Sequence, residues 1–372
     1  MECLMRAAHI QNLTGLRGFA ALSVLLLHIR YGDLANAYDG LAFLFQTRGL
    51  GVDIFFILSG FILAYVHGKD FADGVSPRGA MKFWVARLAR IYPVHLFMLV
   101  ITAFILPMHR LYEWSPVDSA YTFYANLFLV HAWGVTPELT FNQPSWSISC
   151  EWAAYLTFPF IAYFTRKWGK ISFSLLLIGL ALYAPFLQPK LLANGIWTIK
   201  CIVYFVAGYC TYQVCRDLPD SRLWRVTAIA IAPLILLMLW ATSIQYYFNM
   251  LFPFLVIVMI ASLFRAGPIW AYSNPVSVYL GKISFSLYMC HIMVLFVERK
   301  LFGMMDLKYE IPIIIAFSMF LYHCIEEPAR KVIRLVSEGG HREPRQKNFA
   351  DSFALPAPAP EPEPQKERPA LV

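Results

Sequence analysis

A handful of ionisable side chains in otherwise apolar surroundings are where this sequence could do chemistry. Arg17 and His28 stand eleven residues apart in LTGLRGFAALSVLLLH, which on a helix is roughly 16 Å along the axis. Asp53 sits near the start of GVDIFFILSGFILAYV, Arg87 and Arg90 are three apart in KFWVARLARIYPVH, and Glu151 follows QPSWSISC. A charge inside a bilayer is costly, so each of these is by default a functional hypothesis. Arg87 and Arg90 share one helical face and could clamp phosphate, since a guanidinium binds phosphate bidentately and keeps its charge. A carboxylate on one nitrogen of His28 would fix its tautomer and raise the basicity of the other. Asp53 suits that place because antiparallel neighbours would bring it close to the depth of His28.

Each residue also has an ordinary explanation. Arg17 could snorkel at the inner boundary, His28 could be a hydrogen-bonded core or interfacial histidine, Asp53 could cap a helix, and Arg87 and Arg90 could be orientation anchors. Ser147 and Ser149, close before Glu151, read as helix-start caps. His291 in SFSLYMCH lies in the outer half of its segment, and Glu326 and Glu327 in HCIEEPARK lie at an inner boundary. His131 and His323 read as structural.

The elements that position these groups follow from composition. The 372 residues are 59% hydrophobic and 15% charged, far more apolar than a water-soluble domain of that length can hide. Apolar runs of spanning length predict helices near 11–30, 48–67, 86–107, 144–165, 171–187, 196–214, 223–242, 246–264, 277–297 and 309–326. The predicted fold is therefore an all-α polytopic membrane bundle of about ten crossings. The stretch 120–134 is apolar but short, and reads as one re-entrant or interfacial segment. No cleavable signal peptide is expected in the first apolar run, and residues 1–337 form the membrane domain. From 338 the Pro-rich sequence reads as a disordered tail.

With the N-terminus in the cytoplasm, most Lys and Arg fall on the inner side, among them Arg17, Lys69, Arg78, Arg87, Arg90 and Arg166. The outer side receives Arg30, Arg48, Arg110, Lys190, Lys200, Arg299, Lys300 and Lys308. This asymmetry predicts both termini in the cytoplasm and accounts for the net charge of +8 without nucleic acid. The seven cysteines form no C-x-x-C pair and read as packing residues, and no metal site is expected.

Taken together the motifs resemble the acyltransferase-3 family of integral membrane acyltransferases. The arginine-x10-histidine pattern matches Arg17 and His28, GVD-x-FFxLSGF matches residues 51–61, and R-x-x-R-x-x-P matches Arg87, Arg90 and Pro93. W-S-x-x-x-E matches Trp146, Ser147 and Glu151, and E-x-P matches Glu326 and Pro328. The resemblance implies acyl-CoA, usually acetyl-CoA, as co-substrate and a hydroxyl acceptor on a cell-surface glycan, lipid-linked sugar or similar molecule. It also implies a multi-pass protein of the cell membrane, of bacterial inner-membrane kind. The sequence after residue 334 is too short for the SGNH extension of some members, so the single-domain type is expected.

On that reading Arg17 joins Arg87 and Arg90 in a clamp for the coenzyme A phosphates, and His28 stands where the pantetheine arm would end. His28 would be the general base toward the acceptor hydroxyl, or alternatively a covalent acyl carrier, with Asp53 or Glu151 orienting it. The competing class is a transporter or flippase, whose pathways are lined by similar buried charges. A third is a structural scaffold. Oligomeric state and acceptor identity stay open.

Overall fold

A backbone can cross hydrocarbon only where its polar groups are satisfied within the segment, as in a helix. Among the described residues every regular element is a helix. The structure, a computed structural model, describes residues 2–29, 50–108, 117–136, 138–169, 179, 197–240, 245–303 and 305–337.

The helices are α1 (Glu2–His28), α2 (Leu50–His67), α3 (Pro77–Val100), α4 (Ala120–Leu127), α5 (Ser145–Trp168) and α6 (Trp197–Cys215). They are followed by α7 (Arg222–Trp240), α8 (Gln245–Arg265), α9 (Pro275–Phe302), α10 (Leu307–Leu321) and α11 (Glu327–Ser337). A π-helical turn, Ile101–Ile105, prolongs α3 to Met108, and another, Tyr322–Glu326, joins α10 to α11. Among the described residues five stretches are long and apolar enough to cross a membrane: Ile10–His28, Leu50–His67, Pro77–Met108, Pro275–Phe302 and Leu307–Ile333. Helices α5 to α8 lie at the places expected of the fourth, sixth, seventh and eighth crossings. The chain is thus an all-α, multi-pass membrane bundle. The fifth expected helix, 171–187, lies outside the described residues apart from Gly179, as does the expected tail from 338.

Local signals account for the helix starts. Ser76 accepts from the Gly79 amide ahead of Pro77, which starts α3 well before the apolar run at 86. Asn274 accepts from the amides of Val276 and Ser277 ahead of Pro275 at α9. The short segment 120–134 becomes α4, opened by a reciprocal Ser119–Thr122 capping box, and then a π-helical turn at His131–Val135. It is tied to α3 by His95, whose Nε2–H donates to the Asn126 carbonyl at 2.9 Å.

Helix direction and register decide which side chains meet. Helices α1 and α9 run parallel and touch backbone to backbone: a Cβ on Gly281 would overlap the Thr14 carbonyl oxygen, and one on Gly18 would press on the Gly281 nitrogen. Ten residues further along each helix, the His28 and His291 rings lie 4.9 Å apart between centroids. Helix α2 runs antiparallel to α1, with Gly51 against Ala20 and Val24 and the Phe55 ring 5.7 Å from the Arg17 guanidinium. Helices α2 and α6 are parallel, closing where Gly60 meets the Phe205 carbonyl and Gly208 meets that of Ile57. Helices α5 and α6 are parallel as well, from Trp146–Trp197 to Phe158–Tyr209. These directions agree with the alternation expected of first, second, fourth, sixth and ninth crossings.

The close contact of α1 with α9 has a measurable consequence. Gly281→Ala adds a methyl group where backbone already sits, and overpacking of this kind costs about 1–3 kcal/mol. The thermal unfolding midpoint in detergent should fall accordingly, and an unchanged midpoint would mean the helices do not cross there.

Candidate active site

His28 ends α1 and is exposed, and its Nδ1 lies 2.8 Å from the Val24 carbonyl oxygen one turn back. A carbonyl can only accept, so Nδ1 carries the hydrogen and, in the neutral ring, Nε2 keeps its lone pair. His291, 1% exposed, donates from its own Nδ1 to the Tyr288 carbonyl at 2.7 Å. Its Nε2 stands 3.3 Å from His28 Nδ1. The N–H of His28 is therefore shared between Val24 and His291, while the opposite nitrogen has no hydrogen-bond partner among the described residues and keeps a lone pair that can take a proton. The Tyr288 ring packs beside that of His291 at 5.8 Å between centroids and beside Phe55 of α2 at 6.2 Å.

Neither expected carboxylate partner meets His28. Asp53, 6% exposed in the first turn of α2, forms an ion pair with Lys200 of α6, whose Nζ is 2.7 Å from Oδ1 and 2.9 Å from Oδ2. The reason is register. Gly51 against Ala20 and Phe55 against Arg17 bring Asp53 level with about Ala20, eight residues or roughly 12 Å before His28 along α1. Aligning the ends of antiparallel helices had suggested equal depth. Lys200 had looked like an outer-face topology charge and has no local signal that would pair it with Asp53.

Glu151 belongs to a second cluster. Its Oε1 accepts from Ser59 Oγ of α2 at 2.7 Å and from the Tyr155 hydroxyl one turn on. Tyr155 was legible as the i+4 neighbour of Glu151; Ser59 was not. Arg17 lies within electrostatic range of Arg90, Glu151, Tyr155 and Glu326, and Arg87 within range of Tyr155, Arg90, Glu151 and Arg330. The Phe83 ring lies 5.7 Å from the Arg87 guanidinium. Arg17, Arg87 and Arg90, expected to act together, are thus brought together between α1, α3 and α5. All three are partly buried, unlike groups that only snorkel to water. Glu326, 1% exposed and turned inward by the π-helical turn, accepts from Ser286 at 2.8 Å and lies 3.8 Å from Arg330. Among the described residues Arg17, Arg87 and Arg90 form no ion pair, and the buried Arg87 Nε has no hydrogen-bond partner. Four guanidiniums against Glu151 and Glu326 leave a surplus of positive charge.

The arginine-x10-histidine pair and the Trp-Ser-x-x-x-Glu block now lie in one bundle, and a family model described as an acyltransferase domain matches residues 10–324. The chain belongs to the acyltransferase-3 family. Over 169 residues this acyltransferase-3 protein is 40% identical to acyltransferase MdmB of Streptomyces mycarofaciens, covering 44% of this chain and 41% of that protein. It is 26% identical over 369 residues to a Staphylococcus aureus (strain COL) protein named "Putative O-acetyltransferase SACOL0978", covering 87% of this chain and 58% of that one. It is also 32% identical over 173 residues to protein 2 in the picA locus of Rhizobium radiobacter, covering 42% and 81% respectively. The chain spans about half the length of the first two relatives. No solved structure matches it.

The Asp53–Lys200 pair can be tested apart from activity. Lys200→Met strands a buried carboxylate and should cost up to about 3–5 kcal/mol, toward the lower end because Lys200 keeps some solvent contact. Asp53→Asn in the same chain should restore most of that loss, read as the thermal midpoint in detergent. A single variant as stable as the parent would show the pair to be dispensable.

Proposed function

We propose that the protein is a membrane O-acyltransferase that moves an acyl group, in the first instance acetyl, from acyl-CoA to a hydroxyl on a glycan, lipid-linked sugar or similar acceptor. The observation that carries this reading is the state of His28: exposed, its N–H committed to Val24 and His291, and its Nε2 lone pair without a partner among the described residues. The acceptor hydroxyl gives its proton to Nε2 as its oxygen bonds to the thioester carbonyl carbon. The carbon–sulfur bond then breaks, and the departing thiolate takes the proton back from His28.

The arginine cluster supports the choice of donor. Coenzyme A presents a polyphosphate head, and the incompletely compensated guanidiniums of Arg17, Arg87 and Arg90 have the charge and fork geometry to hold it. Arg17 and His28 lie eleven residues apart on α1, so a pantetheine arm running along the bundle from such a clamp ends near the imidazole. Glu151, held by Ser59 and Tyr155, is the counter-charge that keeps Arg17 and Arg87 in place, rather than a group acting on His28. Asp53 and Lys200 brace α2 against α6. The Lys/Arg asymmetry supports a cytoplasmic position for the arginine level and for both ends of the bundle.

The kinetic test uses steady-state thiol release from acetyl-CoA in membrane vesicles. His28→Gln can mimic the hydrogen bonds of a neutral imidazole but takes up no proton, and should lower kcat by about 10²–10⁴. Arg87→Ala should instead raise KM for acetyl-CoA by about 10- to 100-fold, since a hydrogen bond to a charged group contributes ~1.5–3 kcal/mol. Full activity in a well-inserted His28→Gln variant would sink the mechanism, and transport without thiol release would favour the transporter class.

Orientation has its own test. Lys69→Cys, in the exposed connection between α2 and α3, should react with a membrane-impermeant maleimide in inside-out vesicles and not in intact cells. Labelling from the outside would reverse the topology and the donor face with it.

A further inference from the structure

Sites that activate a hydroxyl with an imidazole often back the ring with a carboxylate, yet both carboxylates expected here are committed elsewhere. Asp53 is paired with Lys200, and Glu151 accepts from Ser59 and Tyr155. The side chain that meets the inner nitrogen of His28 is a second imidazole. His291 is almost wholly buried, and its Nδ1–H is spent on the Tyr288 carbonyl, so the Nε2 directed at His28 is an acceptor. A buried lone pair of this kind must be satisfied, and the His28 N–H at 3.3 Å satisfies it.

We propose that His291 is the positioning residue for His28. Its Nε2 accepts the His28 Nδ1–H, fixes the rotation of the exposed ring, and stabilises the imidazolium formed when His28 Nε2 takes the acceptor's proton. The Nδ1 hydrogen stays on His28 throughout. Only its hydrogen bond to His291 strengthens as the ring becomes charged, and the Nε2 proton leaves with the thiolate. This inference rests on His28 being the base.

Two features fit the chemistry. An imidazole partner need carry no charge to accept a hydrogen bond, so it avoids the cost of keeping a carboxylate charged in apolar surroundings. The partner is also rigidly mounted, because the contact lies ten residues beyond the Gly18–Gly281 crossing on two parallel helices. Among the described residues the groups facing His291 are His28 from α1 and Tyr288 from its own helix, with the Phe55 ring of α2 packed beside Tyr288.

The experiment measures thiol release with acetyl-CoA as the added probe, in vesicles from producing cells that carry their own acceptor, across pH. His291→Leu removes the acceptor atom and should lower kcat about tenfold or more, part of what the base as a whole supplies, while KM for acetyl-CoA stays unchanged. His28 then becomes less basic, so the acid limb of the rate profile should move to lower pH. His291→Gln, whose amide oxygen can accept the same hydrogen bond, should recover most of the rate and return the limb toward that of the parent. Folded amount and thermal midpoint are measured for each variant, and His291→Ala, which also lacks the acceptor atom, carries the test if Leu does not fold. Parental kcat and an unmoved limb in a folded Leu or Ala variant would overturn the proposal. So would losses that merely track folded protein. An active His28→Gln variant would remove the base itself, whereas an inactive one alongside fully active His291 variants would remove only the role given to His291.

Discussion

The arrangement depends first on how closely α1 lies against α9. Within a bilayer there is little hydrophobic drive for one helix to choose another, and association rests on van der Waals contact and polar ties between them. Gly18 and Gly281 allow backbone contact, and Gly15 does the same against the Tyr272 carbonyl. The start of α1 is then pinned along its axis by Asn12. Its amide nitrogen donates to the carbonyls of Leu263 and Gly267 at 3.0 and 2.6 Å, and its oxygen accepts from the Ile269 amide at 3.0 Å. With one end pinned and the crossing point set, the far ends of two parallel helices have no freedom of register, and His28 must meet His291.

The cost of charge in an apolar medium sorts the remaining ionisable groups into three levels. At the histidine level the partners are both imidazoles, so nothing need be ionised until a proton arrives. Deeper along α1, Asp53 and Lys200 cancel each other. At the arginine level the cancellation is incomplete: Glu151 and Glu326 face four guanidiniums, and Arg87 keeps an unpartnered buried N–H among the described residues. A fully compensated level reads as structure, whereas an under-compensated one reads as a place that awaits an anion.

The π-helical turns serve the same economy. Tyr322–Glu326 separates two adjacent carboxylates, leaving Glu327 beside Lys331 at 2.9 Å while Glu326 is buried against Ser286. Neighbouring glutamates in HCIEEPARK gave no hint of that division. The same turn carries the helix past the expected stop near 326 and on to Ser337.

What the sequence determined by itself was everything that depends on local composition. Apolar run length specified helices and their alternation, Lys and Arg counts suggested an orientation, and the spacing of Arg17, His28, Arg87, Arg90 and Glu151 marked the groups that do not belong in lipid without a purpose. What only the tertiary structure decided was the partner of each. His28 goes with His291 rather than Asp53, Asp53 with Lys200, and Glu151 with Ser59 and Tyr155. These pairings join residues up to 263 positions apart. They are set by axial register, and register is decided where Gly18, Gly51, Gly60, Gly208 and Gly281 let backbones touch. A helix pattern repeats every turn, so periodicity cannot tell one register from the next. Only the contact of two particular backbones can.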